Sequence, residues 1–212
     1  MKIISYFFLF YFYFSLSSAS TKQSEFNDWV DSFIPFAISQ GISKATVIEV
    51  MKNAKYLPKV IEYDRYQPEF YEDTNTYIKK RTSLNKIKEG SKIYKNNKNL
   101  IDNIEKLYNI NKSLLLALMG IETNFGKYLG KMNIISSLAT LSFDLRRRDF
   151  FTNELITILK LIDDDLIDHK ILYGSWAGAF GNFQFMPTTI RDYAVDYDKN
   201  QNVELKSTKD SF

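Results

Sequence analysis

The chain contains no cysteine and a single histidine. Without cysteine there are no disulfides, no thiol nucleophiles, no zinc–thiolate sites and no lipid attachment through an N-terminal thiol. His169 has no clustered ligands around it in the sequence, so it makes no zinc site. Charge of one sign is also lacking. The 28 basic and 25 acidic residues leave a net +3, too weak a field to imply nucleic acid. The glycine-rich stretch Gly174–Pro187 contains no Lys, which excludes a Walker-type phosphate loop. Missing disulfides say nothing about compartment, because exported proteins do not require them. The 212 residues suffice for one sizeable core.

A long hydrophobic run is missing as well. Ile3–Leu16 is apolar and aromatic, but falls short of the ~20 residues a membrane span needs. It follows Met1-Lys2 and precedes Ser17-Ser18-Ala19-Ser20. A positive start, an apolar middle and a small-residue exit read as a secretory signal peptide over Met1–Ser20, cut after Ala19 or Ser20. The expected mature chain is 21–212, exported to the periplasm, with no stable membrane span after cleavage. The alternative is an uncleaved anchor.

Beyond the leader the apolar spacing is helical. Phe26, Trp29, Val30, Phe33 and Ala37 predict a helix over Glu25–Gln40, stopped at Gly41. Ser43 caps the next one, lined by Val47, Val50, Met51 and Ala54. Trp29 reads as core. Leu57–Phe70 is different, broken by Pro58 and Pro68, with charges alternating with Tyr63, Tyr66 and Phe70. Those rings either stack on a ligand or close the domain. Tyr77–Gly90 and Ile93–Tyr108 predict two more helices. The first carries a basic face of Lys79, Lys80, Arg81, Lys86 and Lys88, which reads as solvated surface.

The segment around Leu114–Phe125 is an apolar helix with one carboxylate. Leu114, Leu115, Leu118 and Ile121 recur at helical spacing and predict a core-facing stripe. Asn111 is the expected N-cap and Gly126 the stop. Glu122 lies near the C-terminal end of this helix. Apolar neighbours and the negative end of the helix dipole both disfavour its ionised form. A carboxylic acid that keeps its proton near neutral pH suits a general acid. The bland alternative is a surface Glu whose stem covers apolar surface. Phe150, Phe151, Leu155, Ile158, Leu159 and Ile162 predict a later helix, ending before Asp163-Asp164-Asp165 because acids are unfavourable at a helix C-terminus. Thr188 or Thr189 is the expected cap of a helix carrying Ile190 and Tyr193. In Asp196-Tyr197-Asp198-Lys199-Asn200-Gln201-Asn202, oxygen-bearing side chains at alternate positions resemble an EF-hand loop, which supplies hard ligands to calcium. A polar surface turn is the other reading.

Taken together, Glu122-Thr123-Asn124-Phe125-Gly126, Ser137–Phe151 (SLATLSFDLRRRDFF), Gly174–Pro187 (GSWAGAFGNFQFMP) and Leu57–Phe70 (LPKVIEYDRYQPEF) resemble the B-type lytic murein transglycosylases. The resemblance runs from about Phe26 to the C-terminus. It implies an all-α, lysozyme-like transglycosylase domain that cleaves the MurNAc–GlcNAc bond of peptidoglycan glycan strands and leaves an anhydro-muramyl end. Glu122 then acts first as acid and afterwards as base, with no second carboxylate. The resemblance also implies that Arg146, Arg147, Ser175 and Gln184 bind substrate. It implies a structural calcium held by Asp196, Asp198, Asn200, Asn202 and Asp210, with Gln201 where the family's loop usually has Gly. No other cofactor is required. Cell-wall synthesis or hydrolysis enzymes are the implied protein partners. Family members continue through further helices, so the C-terminal part of the domain is expected to be missing after Phe212. Its absence would leave apolar helix faces uncovered. Two alternatives stand beside this reading: an inactive, truncated peptidoglycan-binding module, and a glycan hydrolase that recruits Asp144.

Overall fold

The computed structural model describes the backbone of residues 3–66, 72–200 and 203–212, with side chains from Thr21 onward. Pro68 and Phe70 therefore lie outside the described residues, as do Gln201 and Asn202. The architecture is mainly helical: α1 (Ile3–Ser39), α2 (Lys44–Met51), α3 (Pro58–Arg65), α4 (Thr74–Arg81), α5 (Leu84–Asn96), α6 (Lys98–Tyr108), α7 (Lys112–Glu122), α8 (Ile134–Phe143), α9 (Arg148–Asp163), α10 (Pro187–Tyr193) and α11 (Thr208–Ser211). The strands β1 (Met132–Asn133) and β2 (Tyr173–Gly174) pair antiparallel, Met132 opposite Gly174 and Asn133 opposite Tyr173.

Helix α8 is the axis of the core. Every residue from Ile134 to Ser142 is buried, as an all-round apolar helix requires. Helix α9 packs along it, and α1, α2, α3 and α10 close around the pair. The hydroxyls of Ser136, Thr140 and Ser142 on α8 are hydrogen-bonded, whereas buried Ser137 Oγ has no partner among the described residues. Ser136 Oγ accepts from Lys55 N at 3.1 Å and Thr140 Oγ1 accepts from Leu57 N at 3.0 Å. These bonds satisfy a connecting segment that could not otherwise lie against a buried helix. Trp29 belongs to the core, stacked on Phe33 with centroids 5.0 Å apart. Helices α5, α6 and α7 pack on one another as a second group, around buried Ile101, Ile104 and Met119.

Several boundaries differ from the sequence expectation. Helix α1 begins at Ile3 rather than Glu25, with no Gly or Pro between Ser20 and Glu25 to interrupt it. Among the described residues, no helix is long and apolar enough to cross a membrane. The expected Tyr77–Gly90 helix is two helices, because Ser83 caps α5 by accepting from Lys86 N. Gly90 does not stop α5. It sits mid-helix because the Phe125 ring lies against it. The expected start at Ile93 is likewise overturned: Ile93 belongs to α5, and α6 begins at Lys98. Helix α9 includes Asp163, whose carboxylate accepts from Ser43 N at 2.9 Å and so serves the N-terminus of α2. Met186 is the N-cap of α10, with Pro187 as its first residue. Thr188 instead bonds to Glu154.

The most consequential difference concerns α7. Asn111 caps it as expected, accepting from Ser113 N and Leu114 N, but the helix ends at Glu122. The stripe expected to face the core faces out: Leu114 is 57% exposed, Leu118 42% and Ile121 45%. The buried residues are Met119 and Gly120. Because α7 is apolar nearly all round, periodicity does not say which face is covered.

Candidate active site

Glu122 closes α7, and the chain turns sharply after it. Asn124, Phe125 and Gly126 all have positive φ, at 51°, 61° and 79°. Two non-glycine residues in succession there carry backbone strain. The turn is held by Phe125 N donating to Met119 O at 3.1 Å and by Thr123. The buried Thr123 hydroxyl donates to Asn182 O at 2.8 Å and accepts from Gly126 N at 2.9 Å. The Glu122 carboxyl has no hydrogen-bond or ion-pair partner among the described residues. The residue reaches solvent, but its carboxyl packs against enough protein that desolvation raises its pKa. An unpaired carboxyl that favours its protonated form can donate a proton and take one back.

The Gly174–Pro187 loop is built onto the end of α7. The β1–β2 ladder fixes its start. Phe180 and Phe185 exchange backbone hydrogen bonds of 2.9 Å, closing a tight turn that holds Gln184 at φ 52°. Gln184 Nε2 donates to Gly181 O at 2.9 Å and to Leu129 O at 3.3 Å, across to the segment that follows Glu122. The Ser175 hydroxyl accepts from Ala177 N and Ala179 N, so it orders its own loop and keeps its proton to donate. Next to it, the Trp176 ring centroid lies 6.5 Å from that of Tyr63 on α3.

Tyr63 precedes the centre of a charged cluster that sequence reasoning missed. Asp64 is only 1% exposed. Its carboxylate accepts from Arg146 Nη1 at 2.8 Å and also from Arg147 Nη2. Neither guanidinium uses Asp144 or Asp149, although the backbone N of Arg146 donates to Asp144 Oδ2 at 3.3 Å. Asp144 is taken by Arg65, whose Nη2 donates to both its oxygens at 2.9 and 3.1 Å. Arg148, the third of the triplet, donates to Ser142 O and Phe143 O and closes the end of α8. No spacing rule links Asp64 to arginines more than eighty positions away. A lone Asp among alternating charges and rings gave no signal.

Asp196, Asp198 and Asp210 bring one carboxylate oxygen each to within 4.8 Å of one another. Asp210 is nearly buried and accepts from Tyr197 N at 3.1 Å and Glu204 N at 2.9 Å. Asn200 N donates to Asp196 and Asp198, which folds the loop around these oxygens. Lys209 Nζ lies 3.0 Å from Asp198 Oδ2. Hard oxygen donors converging in this way fit a calcium ion. The loop is joined to the Glu122 turn. Buried Asn182, whose carbonyl accepts from Thr123, donates from its backbone N to Leu205 O at 2.8 Å and from its side-chain Nδ2 to Ser211 Oγ at 2.9 Å. The site therefore brings together the Glu122 turn, the Ser175–Gln184 loop and the Asp210 segment, with the arginine cluster adjoining through Tyr63 and Trp176.

The mainly helical frame is that of the lysozyme-like lytic transglycosylase structures. The chain belongs to the transglycosylase SLT domain family, whose profile matches residues 25–212. Over 130 residues it is 33% identical to the membrane-bound lytic murein transglycosylase B of Escherichia coli (strain K12), covering 61% of this chain and 36% of that protein. SltB3 from Pseudomonas aeruginosa, solved in complex with NAG-NAM-pentapeptide, superposes with a TM-score of 0.83 at 31% identity, over 88% of this chain and 50% of that one. The E. coli lytic transglycosylase Slt35 in complex with calcium superposes with a TM-score of 0.74 at 28% identity, over 89% and 60%. The chain thus spans between 36% and 60% of the length of these relatives.

Proposed function

We propose that the chain is a peptidoglycan lytic transglycosylase that cleaves the MurNAc–GlcNAc bond and leaves an anhydro-muramyl end. The observation that carries this is Glu122: unpaired, at the end of α7, with burial raising its pKa. Its carboxylic acid protonates the glycosidic oxygen as the bond from C1 breaks. The resulting carboxylate then takes the proton of the muramyl C6 hydroxyl, whose oxygen closes on C1. One group returns to its starting state, and water is not consumed. Gln184 Oε1 and the Ser175 hydroxyl proton are the groups left to bond a sugar or its N-acetyl group. Arg146 and Arg147 suit a carboxylate of the substrate.

Asp196, Asp198, Asn200 and Asp210 would hold a calcium ion, with Asn202 as the further ligand expected from sequence, and the ion would supply a structural cross-link. Met1–Ser20 is read as a cleaved signal peptide that delivers the domain to the periplasm.

Incubation of the purified chain with sacculi, followed by mass spectrometry of the soluble products, tests the reading. Anhydro-muropeptides support it; reducing ends contradict it. Asp144, the carboxylate that the hydrolase reading recruits, is engaged by Arg65. The exposed Leu114, Leu118 and Ile121 beside Glu122 favour one other reading, a module that binds peptidoglycan without turning it over. Retention on sacculi with no product is its signature.

A further inference from the structure

We infer that Asp64 is a positioning residue that sets the preference of the site for peptide-bearing over peptide-free glycan. The inference rests on the proposed function and deepens it. The Asp64 carboxylate is buried, whereas the two arginines it holds are open, with side chains 48% and 38% exposed. A purely structural buried carboxylate needs one guanidinium, which can satisfy both oxygens as a fork. Here two guanidiniums share one carboxylate, and a surplus positive charge faces solvent. The donors are not used up either. Arg146 spends Nη1 on the carboxylate and on the Asp64 carbonyl. Arg147 spends Nη2. Arg146 Nε and Nη2 and Arg147 Nη1 have no partner among the described residues.

Both guanidiniums are fixed in orientation. Arg147 lies over the Phe151 ring at 4.7 Å, and Arg146 Nη1 is held between the Asp64 carbonyl and its carboxylate. Asp64 thus takes one end of each planar fork and leaves Arg146 Nε, Arg146 Nη2 and Arg147 Nη1 uncommitted, while Arg147 Nε is buried, which lowers the ordering cost of binding an anion. The cluster adjoins the Ser175 loop through Tyr63 and Trp176. The anions a peptidoglycan strand offers there are the carboxylates of its stem peptide, which a peptide-free chitin oligomer lacks.

Calorimetric titration of the full chain with a GlcNAc-MurNAc-pentapeptide and with tetra-N-acetylchitotetraose reads the affinity ratio between the two. The wild type should favour the peptide-bearing ligand. Asp64→Asn keeps the shape and removes the charge that holds both forks, and should lower the ratio by roughly ten-fold, the scale of a charge-assisted hydrogen bond. Asp64→Glu keeps the charge but shifts the carboxylate, and should give an intermediate ratio. It carries the test if Asp64→Asn does not fold. A general loss of structure weakens both ligands together and leaves the ratio alone. An unchanged ratio in the folded variants overturns the positioning role while leaving the functional reading intact. A wild type that binds neither ligand overturns both.

Discussion

Gly120 lies directly under the ring of Phe125: a Cβ on Gly120 would come within 2.7 Å of Phe125 Cζ. Gly90 on α5 faces the same ring, its Cβ position 3.2 Å from that atom. The ring fills the space that two side chains would occupy, and it pins the strained turn after Glu122. Gly120→Ala should therefore destabilise the protein by about 1–3 kcal/mol, although alanine is the better helix former by ~1 kcal/mol. It should also reduce sacculus turnover. Thermal melting and product release check both. A Gly120→Ala variant as stable as wild type would show that the ring is not wedged.

Glu122 makes stability depend on pH. Burial raises its folded-state pKa above the unfolded value. The folded state then binds its proton more tightly, so this contribution is fully present below the unfolded pKa and is lost as pH rises through the folded one. Glu122→Gln carries no proton to lose. Its melting temperature should exceed that of the wild type at neutral pH, and the gap should narrow on acidification. A variant less stable than wild type at neutral pH would contradict an unpaired, partly desolvated carboxyl.

Glu154 ties α9 to the start of α10. It is 2% exposed and accepts from Thr188 N at 2.9 Å and Thr188 Oγ1 at 2.7 Å. Glu154→Ala removes both acceptors and leaves a part-buried N–H unsatisfied, with a cost of roughly 2–4 kcal/mol in chemical denaturation. Thr188→Val, which removes one donor only, should cost about 1 kcal/mol. Equal losses in the two variants would mean that the hydroxyl, not the helix terminus, is what Glu154 serves.

Calcium at a hundred times its dissociation constant should raise stability by about 2.7 kcal/mol, because it binds the folded state. Asp198→Ala removes one of three converging oxygens and should abolish the rise in melting temperature. It also frees Lys209 from its ion pair, an exposed contact of little worth. A melting curve insensitive to millimolar calcium in both proteins would remove the site.

The helices were legible where capping and burial coincide. Ser43 and Asn111 cap as their side chains dictate, and Phe26, Val30 and Phe33 are buried as their spacing predicts. Legibility failed where local pattern is degenerate. Helix α7 has apolar residues on most of its circumference, so Leu114, Leu118 and Ile121 could not be told from core. Gly90 looks like a stop until the Phe125 ring is seen against it. The residues proposed for the site came from motifs; the groups that hold them lie in the same motifs, but their roles there were not readable. Asp64, Thr123 and Asn182 act through contacts between distant segments, and neither periodicity nor composition encodes those.

The central claim is that one carboxyl serves as both acid and base, and Glu122→Gln tests it most directly. The amide keeps the size of the side chain but can neither donate nor accept the catalytic proton. General acid–base assistance is worth about 10²–10⁴ in rate, and here two steps depend on it. Release of anhydro-muropeptides from sacculi, quantified by mass spectrometry for folded wild type and variant, should fall by about 10⁴ or more. Anhydro product formed by Glu122→Gln at the wild-type rate would contradict the account.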